Sequence, residues 1–413
     1  MSQPVVIVGG GLAGLTAATV LQQEGQPFLI LEASDQVGGK VRTDEIAGFR
    51  VDRGFQVYFT AYPTASKYLD YAALDLRPFL AGSMVYDGVR LEEIRQDNWF
   101  ISALSPLMNT LDKVKLLQWN QRVNAMSWDD IWRMPDTTTD AHLEKLGFSR
   151  TMIERFARPF FGGIFLDRSL QVSVRAFATV WKNLLLGDTV LPAQGMQAIP
   201  SQLASRLPQD SIRTGSGVQS LRTNRNQIQG VTLTSGEEIN AEKVILAADA
   251  ASIAGLAGLE PPQYKASTTL TFDAPESPVE QPILVLNGSD RGIVNEVAPI
   301  SRVAPATAPA GSQLISVTLL GLHAEDDLKL AQKVVKELRA WFPDTSLHRW
   351  MLIRVDRIAH AQLDQPVGFR ERRWSQTPGP EGLVIASEAT EMSGIDGAML
   401  SGEKAAHLVL GAH

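Results

Sequence analysis

Residues 5–32, VVIVGGGLAGLTAATVLQQEGQPFLILE, read as a strand, a glycine turn, a helix, a second strand and a terminal acid. Val5 to Val8 are apolar and β-branched, as a strand buried on both faces requires. Gly9, Gly11 and Gly14 follow directly at GxGxxG spacing. The first permits a tight turn, the second lets the backbone approach a pyrophosphate, and the third lets the next helix pack close to the strand. Leu12, Leu15, Ala18 and Leu21 recur at helical spacing, so a phosphate would rest on the free N–H groups near Leu12 and Ala13. Phe28 to Leu31 end in Glu32, about 20 residues on, where a carboxylate accepts from both ribose hydroxyls and repels a 2′-phosphate. The unit predicts a dinucleotide-type cofactor.

After Glu32 the chain continues Ala33, Ser34, Asp35, Gln36, Val37, Gly38, Gly39, Lys40, Val41, Arg42, Thr43. These residues resemble the signature of the FAD-dependent amine oxidase superfamily, which includes monoamine oxidases, protoporphyrinogen oxidases and carotenoid desaturases and isomerases. The resemblance implies FAD as cofactor, with Ala33 beside Glu32 and with Gly38, Gly39, Lys40 and Arg42 along its pyrophosphate. A guanidinium offers a planar fork to phosphate oxygens. Gly54, Phe55 and Gln56 look like the family segment beneath the flavin ring. Pro192, Gly195 and Met196 resemble another family signature, although Gln194 replaces a glycine there. The alternating stretch from Val218 to Ala248 resembles the segment that covers the adenine.

The last match runs from Leu383 to Ala406. Glu388 corresponds to the family glutamate near the cofactor's central hydroxyls and phosphates. Asp396 is placed as an N-cap. Amides near Gly397, Ala398 and Met399 would then stabilise negative charge on a reduced flavin. The implied fold class is α/β: a two-domain flavoprotein with a Rossmann-like FAD-binding domain and a mixed α+β substrate domain.

With 413 residues the chain predicts about two or three domains. A hydrophobic content of 44% is that of a globular protein, and a net charge of −7 without a basic tract argues against nucleic acid. No run approaches about 18 apolar residues and no basic segment precedes the first strand, so neither a transmembrane helix nor a signal peptide is expected. The expected location is the cytoplasm, with peripheral contact at a membrane. Zero cysteines exclude disulfides, thiolate zinc sites and a cysteinyl flavin bond. The FAD domain is expected to be discontinuous, 1–75, 195–265 and 350–413, with 76–194 and 266–349 building the substrate domain. Residues 99–190 read as mostly helical, with Leu107, Leu111, Val114 and Leu117 on one face. Residues 266–322 alternate like strands, and Asp327 to Trp341 returns to helix, ended by Phe342 and Pro343.

The superfamily's shared reaction is removal of a hydride from carbon to flavin N5. Monoamine oxidases surround their amine with two tyrosine rings, and the position of one falls here near Gly394 or Ile395, so no aromatic sandwich is available. Phe55, Val57, Tyr58, Phe160, Phe161, Phe165, Met196, Met392 and Ile395 suit a hydrocarbon-like substrate instead. The six histidines, among them His142, His323, His348 and His360, fall at no metal-ligand spacing, so no metal is expected. Phe55, Gln56, Ile395 and His360 are the candidates beside the reacting carbon, His360 as a proton carrier. Trp99, Phe100 and Ile101 are candidates for a lid that touches lipid. The leading expectation is an FAD-dependent oxidoreductase that dehydrogenates an apolar small molecule. Its rivals are a flavin-dependent carotenoid-type isomerase, an amine oxidase and a non-redox isoprenoid-binding escort protein. No second glycine-rich strand-turn-helix supports NAD(P)H as a partner, and the electron acceptor stays open.

Overall fold

The structure, a computed structural model, describes residues 3–95 and 105–411. The expected lid residues Trp99, Phe100 and Ile101 lie outside the described residues.

A five-stranded parallel sheet has the order Ile212–Arg213, Phe28–Leu31, Val5–Val8, Val244–Leu246, Leu383–Ile385. The central strand is buried on both faces because its side chains alternate. Val5 and Ile7 pack on one side with the helices Leu12–Gln23 and Ile395–Leu410, through Leu12, Leu15, Met399 and Ala405. Val6 and Val8 pack on the other side with Ile228, Val231 and Leu233, from the three-stranded antiparallel sheet Val218–Asn224, Gln227–Leu233, Glu238–Asn240. The expected strand-turn-helix-strand unit is therefore present within its predicted span.

Backbone meets backbone where the first helix enters this layer. Gly9 adopts φ +111°, and a Cβ on Gly14 would collide with the Gly9 carbonyl oxygen. On the helix's other side, a Cβ on Gly402 would collide with the carbonyl oxygen of Ala13.

The second large element is a seven-stranded mixed sheet, in the order Met351–Leu363, Tyr264–Ala274, Gln313–Leu320, Val294–Pro299, Leu284–Asn287, Gly82–Tyr86, Leu91–Arg95. One face is covered by the helix Asp327–Trp341, whose Leu330, Val334 and Leu338 pack on Leu270, Phe272 and Val317. That helix has its predicted bounds, and the Asp326 carboxylate caps it by accepting from Leu328 N and Lys329 N. The strand Met351–Leu363 lies at this sheet's edge, although 350–413 is expected with the first sheet. Only the part beyond it, with Leu383–Ile385 and Ile395–Leu410, joins the parallel layer.

Helices Thr110–Ala125, Arg158–Phe165 and Val174–Leu186 form a third layer around Trp119, Phe161, Phe177 and Trp181. Here the apolar stripe departs from expectation. Leu107 is buried but precedes the helix, whereas Leu111, Val114 and Leu117 are 66%, 46% and 62% exposed. Helix Thr110–Ala125 turns Trp119, Val123 and Asp112 inward instead. Asp112 is drawn in because its carboxylate accepts from Asn109 N, Ser149 N and the Ser149 hydroxyl.

Gly14→Ala and Gly402→Ala are each expected to lower stability in urea unfolding by about 1–3 kcal/mol or more, since no flexible side chain can yield. Gly255→Ala is the control: its Cβ meets nothing within 4 Å on an exposed helix face. It should be neutral or raise stability by up to about 1 kcal/mol.

Candidate active site and cofactor cleft

A continuous cavity of about 1860 Å³ runs from the N-terminus of the first helix to the third layer. Ordinary small-molecule pockets hold about 300–1,000 Å³, so this one has room for a cofactor and a second molecule. Its inner half is walled by Gly9, Gly11, Leu12, Ala13, Glu32, Ala33, Gly38, Gly39 and Lys40. Val218, Glu388, Ile395 and Ala398 complete that half, and Gly54, Phe55 and Gln56 stand where it opens into the outer half. The sequence named all of these residues, and long-range folding brings them to one cleft.

Gly11 is the N-cap of helix Leu12–Gln23 and supplies no side-chain hydrogen bond, so the first-turn amides keep donor capacity toward the cleft. A Cβ at Gly11 would meet nothing nearer than Gly39 Cα at 3.9 Å. Open space over uncapped amides fits a pyrophosphate. The Glu32 carboxylate is tied at one edge, accepting from Gly10 N at 2.7 Å and from the Ser34 amide and hydroxyl at 2.8 and 2.7 Å. Lys40 Nζ and Glu388 Oε1 form an ion pair at 2.6 Å across the cleft. The other oxygen, Oε2, accepts from the Ser393 hydroxyl and Gly394 N. This donor and acceptor set fits a dinucleotide-type cofactor such as FAD.

Other expected site residues stand outside the wall. Arg42 is buried and turned to Asp35, 3.0 Å from its carboxylate, which neutralises it away from the cleft. Asp396 is not an N-cap. Gly394 occupies that position, and the Asp396 carboxylate accepts from Thr64 N and Ala65 N at 2.8 and 2.9 Å, holding the start of helix Ala65–Tyr68. Met399 is fully buried in the core, and Gly397 serves close packing, since a Cβ there would collide with the Met392 carbonyl. Gly14 likewise serves packing. His360 is exposed and stacks on the Tyr264 ring at 4.4 Å, so it faces away from the cavity that Ala361 and Gln362 border. Tyr58 and Met196 are core residues: the Tyr58 hydroxyl pairs with that of Tyr71, and Met196 N donates to Asp52.

In the outer half, Phe55, Val57, Phe160, Phe161, Phe165 and Met392 line the wall as anticipated. Tyr62, Trp181 and Leu284 join them, as do four polar residues the sequence reading passed over: Thr269, Glu296, Thr318 and Asp356. The signal for Glu296 was a lone acid inside the wholly buried strand Val294–Pro299. Burial pushes its carboxyl from the ordinary 4.5 up to about 7, against the opposing pull of the Thr318 hydroxyl and the Asn295 amide. Burial likewise raises Asp52 to about 6, opposed by Thr43 and Met196 N.

The profile described as flavin containing amine oxidoreductase matches residues 12–410, most of the chain. The chain therefore belongs to the flavin-containing amine oxidoreductase family. Polyamine oxidase 2 of Arabidopsis thaliana is 43% identical over 53 residues, 13% of this chain and 11% of that protein. The 4,4′-diaponeurosporene oxygenase of Staphylococcus aureus is 21% identical over 282 residues, 59% of this chain and 55% of that protein. The chain thus matches between about a tenth and about half of the length of these relatives. The fold is shared with an oxidoreductase from Methanosarcina mazei, with a TM-score of 0.75 at 17% identity, covering 97% of this chain and 99% of that one.

Glu296 has a testable effect on stability. Below about pH 4.5 both folded and unfolded states hold its proton, so there is no penalty; between 4.5 and 7 only the unfolded state ionises, and the native state is progressively disfavoured. Glu296→Gln should match the wild type near pH 4 and exceed it increasingly up to pH 7, read as urea midpoints across that range.

Proposed function

We propose that this oxidoreductase removes a hydride from carbon of a largely apolar small molecule held in the outer half of the cavity. The observation that carries this reading is the wall itself, with Phe160, Phe161, Ile164, Leu184 and Leu284 facing it and no tyrosine at Gly394 or Ile395. The similarity to a protein named for oxygenation of diaponeurosporene supports it. Gly11, Leu12, Ala13, Glu32, Lys40 and Glu388 would hold FAD, which supplies the hydride acceptor when bound. Phe55, at the junction of the two halves, and Ile395, on the cofactor side, would orient the substrate, and the apolar wall would exclude water. Arg42 and Asp396, through their polar partners, and Met399, through packing, would act by holding the fold.

The FAD-loaded protein, mixed anaerobically with a monohydroxylated polyene such as 1-hydroxyneurosporene in vesicles, should lose its oxidised-flavin absorbance, whereas putrescine and benzylamine should leave it unchanged. Bleaching by the amines alone would restore an amine oxidase. Turnover that needs reduced flavin yet consumes no reductant would identify an isomerase. Glu32→Gln should weaken FAD binding about ten-fold or more, because a hydrogen bond to a charged acceptor is replaced by a weaker neutral one.

A peripheral lipid contact belongs to the same proposal. Among the described residues no helix is long and apolar enough to cross a membrane. Of the exposed Leu111, Val114 and Leu117 on helix Thr110–Ala125, Leu117 lines the cavity, as does its neighbour Leu116. The protein should co-sediment with phospholipid vesicles, and the double variant Leu111→Glu, Leu117→Glu should stay in the supernatant.

A further inference from the structure

The floor of the outer cavity is not uniformly apolar. Asp356 stands directly opposite Thr269, Thr269 opposite Thr318, and Thr318 opposite Glu296, on four successive strands of the seven-stranded sheet. Directly opposed residues share one face of a sheet, and all four border the cavity. At about 4.8 Å per strand the row spans about 14 Å. It starts beneath the Gly54 turn, where Thr269 Oγ1 lies 4.0 Å from the position of a Gly54 Cβ. It ends at Glu296, beside helix Arg158–Phe165, where a Cβ on Gly163 would collide with the carboxylate.

The two ends differ in charge. Asp356 is paired with Arg354 at 2.8 Å. Glu296 is only 4% exposed and, among the described residues, no cation contributes to its environment; the neutral Asn295 amide and the Thr318 side chain stand beside it. Between the ends, the Thr269 and Thr318 hydroxyls are buried and, among the described residues, have no hydrogen-bond partner. Buried polar groups normally have partners, and a carboxyl in an apolar wall without a cation is disfavoured as an anion. The strand is also irregular between Val294 and Glu296, a local irregularity of the kind that re-aims side chains near sites.

We propose that Thr269, Thr318 and Glu296 form a recognition track for one neutral oxygen function, a hydroxyl or carbonyl, carried by an otherwise apolar substrate. The proposal rests on the outer half being the substrate chamber. Hydroxyls and a protonated carboxyl each donate and accept, which suits a group that does the same. A pure hydrocarbon would leave the Glu296 and Thr269 polar atoms unsatisfied, so the track discriminates against it. An ammonium would require Glu296 to be charged in a wall that burial makes unfavourable for charge. Glu296 stands two strands, about 10 Å, from Thr269 beneath the Gly54 turn, so the Glu296 end of the track reads a group remote from the reacting carbon. It orients that carbon rather than taking part in the chemistry.

The test titrates the FAD-loaded protein with geraniol, geranylamine and myrcene, reading affinity from the flavin difference spectrum. Geraniol should bind about ten-fold or more tightly than myrcene. Glu296→Gln, which keeps a neutral donor and acceptor, should retain that preference. Glu296→Leu combined with Thr269→Val should abolish it by weakening geraniol and leaving myrcene unchanged or tighter, and the retained flavin spectrum shows that each variant is folded. Equal binding of geraniol and myrcene by the wild type would overturn the track while leaving the apolar chamber intact. Tightest binding of geranylamine, lost in Glu296→Gln, would overturn it in favour of an ammonium site. Binding of none of the three would overturn both the track and the chamber reading on which it rests.

Discussion

Close backbone contact around the first helix is the constraint on which the rest of the structure depends. Gly14 lets that helix press on the Gly9 turn, and Gly402 lets the last helix press on Ala13. The first helix is held between the parallel sheet and the C-terminal helix with no side chain interposed at either contact. Its N-terminus is thereby fixed at the floor of the cavity, and Glu32 is fixed with it through the Gly10 amide. A rigid, uncapped helix start lets the amides face a ligand without reorganisation.

A second constraint couples this layer to the seven-stranded sheet. Arg354, on the edge strand Met351–Leu363, pairs with Asp44 at 2.7 Å and Asp356 at 2.8 Å, and donates to the Asp52 carbonyl at 2.8 Å. Arg53, followed by Arg354, holds Asp44 down at about 2, so this link stays ionised at neutral pH. The hairpin Thr43–Ile46, Phe49–Asp52 is clamped to the edge strand just before the Gly54 turn. That turn stands where the cofactor half of the cavity meets the substrate half. The clamp therefore sets the distance between the two halves.

How much could be read from sequence follows the range of the interactions. The placement of Gly9, Gly11, Gly14 and Glu32 was legible because local backbone geometry within one strand-helix-strand unit sets it. The helix Asp327–Trp341 was legible for the same reason, from its own periodicity and its Asp326 cap. Asp396 was misread because an acid beside a helix start resembles a cap, and only the fold shows that the amides it serves belong to Thr64 and Ala65. Arg42 was misread because Asp35, seven residues earlier, competes for its charge. The outward turn of Leu111, Val114 and Leu117 depends on Ser149, which draws Asp112 inward. The polar row across Thr269, Thr318 and Glu296 exists only through the pairing register of three strands, which no local pattern encodes.

The central claim is that FAD lies over the uncapped amides at Gly11. The most direct measurement compares flavin content per folded protein in the wild type and Gly11→Ala, by visible absorbance with reversible bleaching by dithionite. A Cβ at Gly11 meets only Gly39 Cα, at 3.9 Å, so the protein itself should accommodate it. The account predicts a yellow, reversibly bleached wild type and a folded variant that has lost most of its flavin. A Gly11→Ala protein with wild-type flavin content, or a wild type that takes up no FAD, would contradict it.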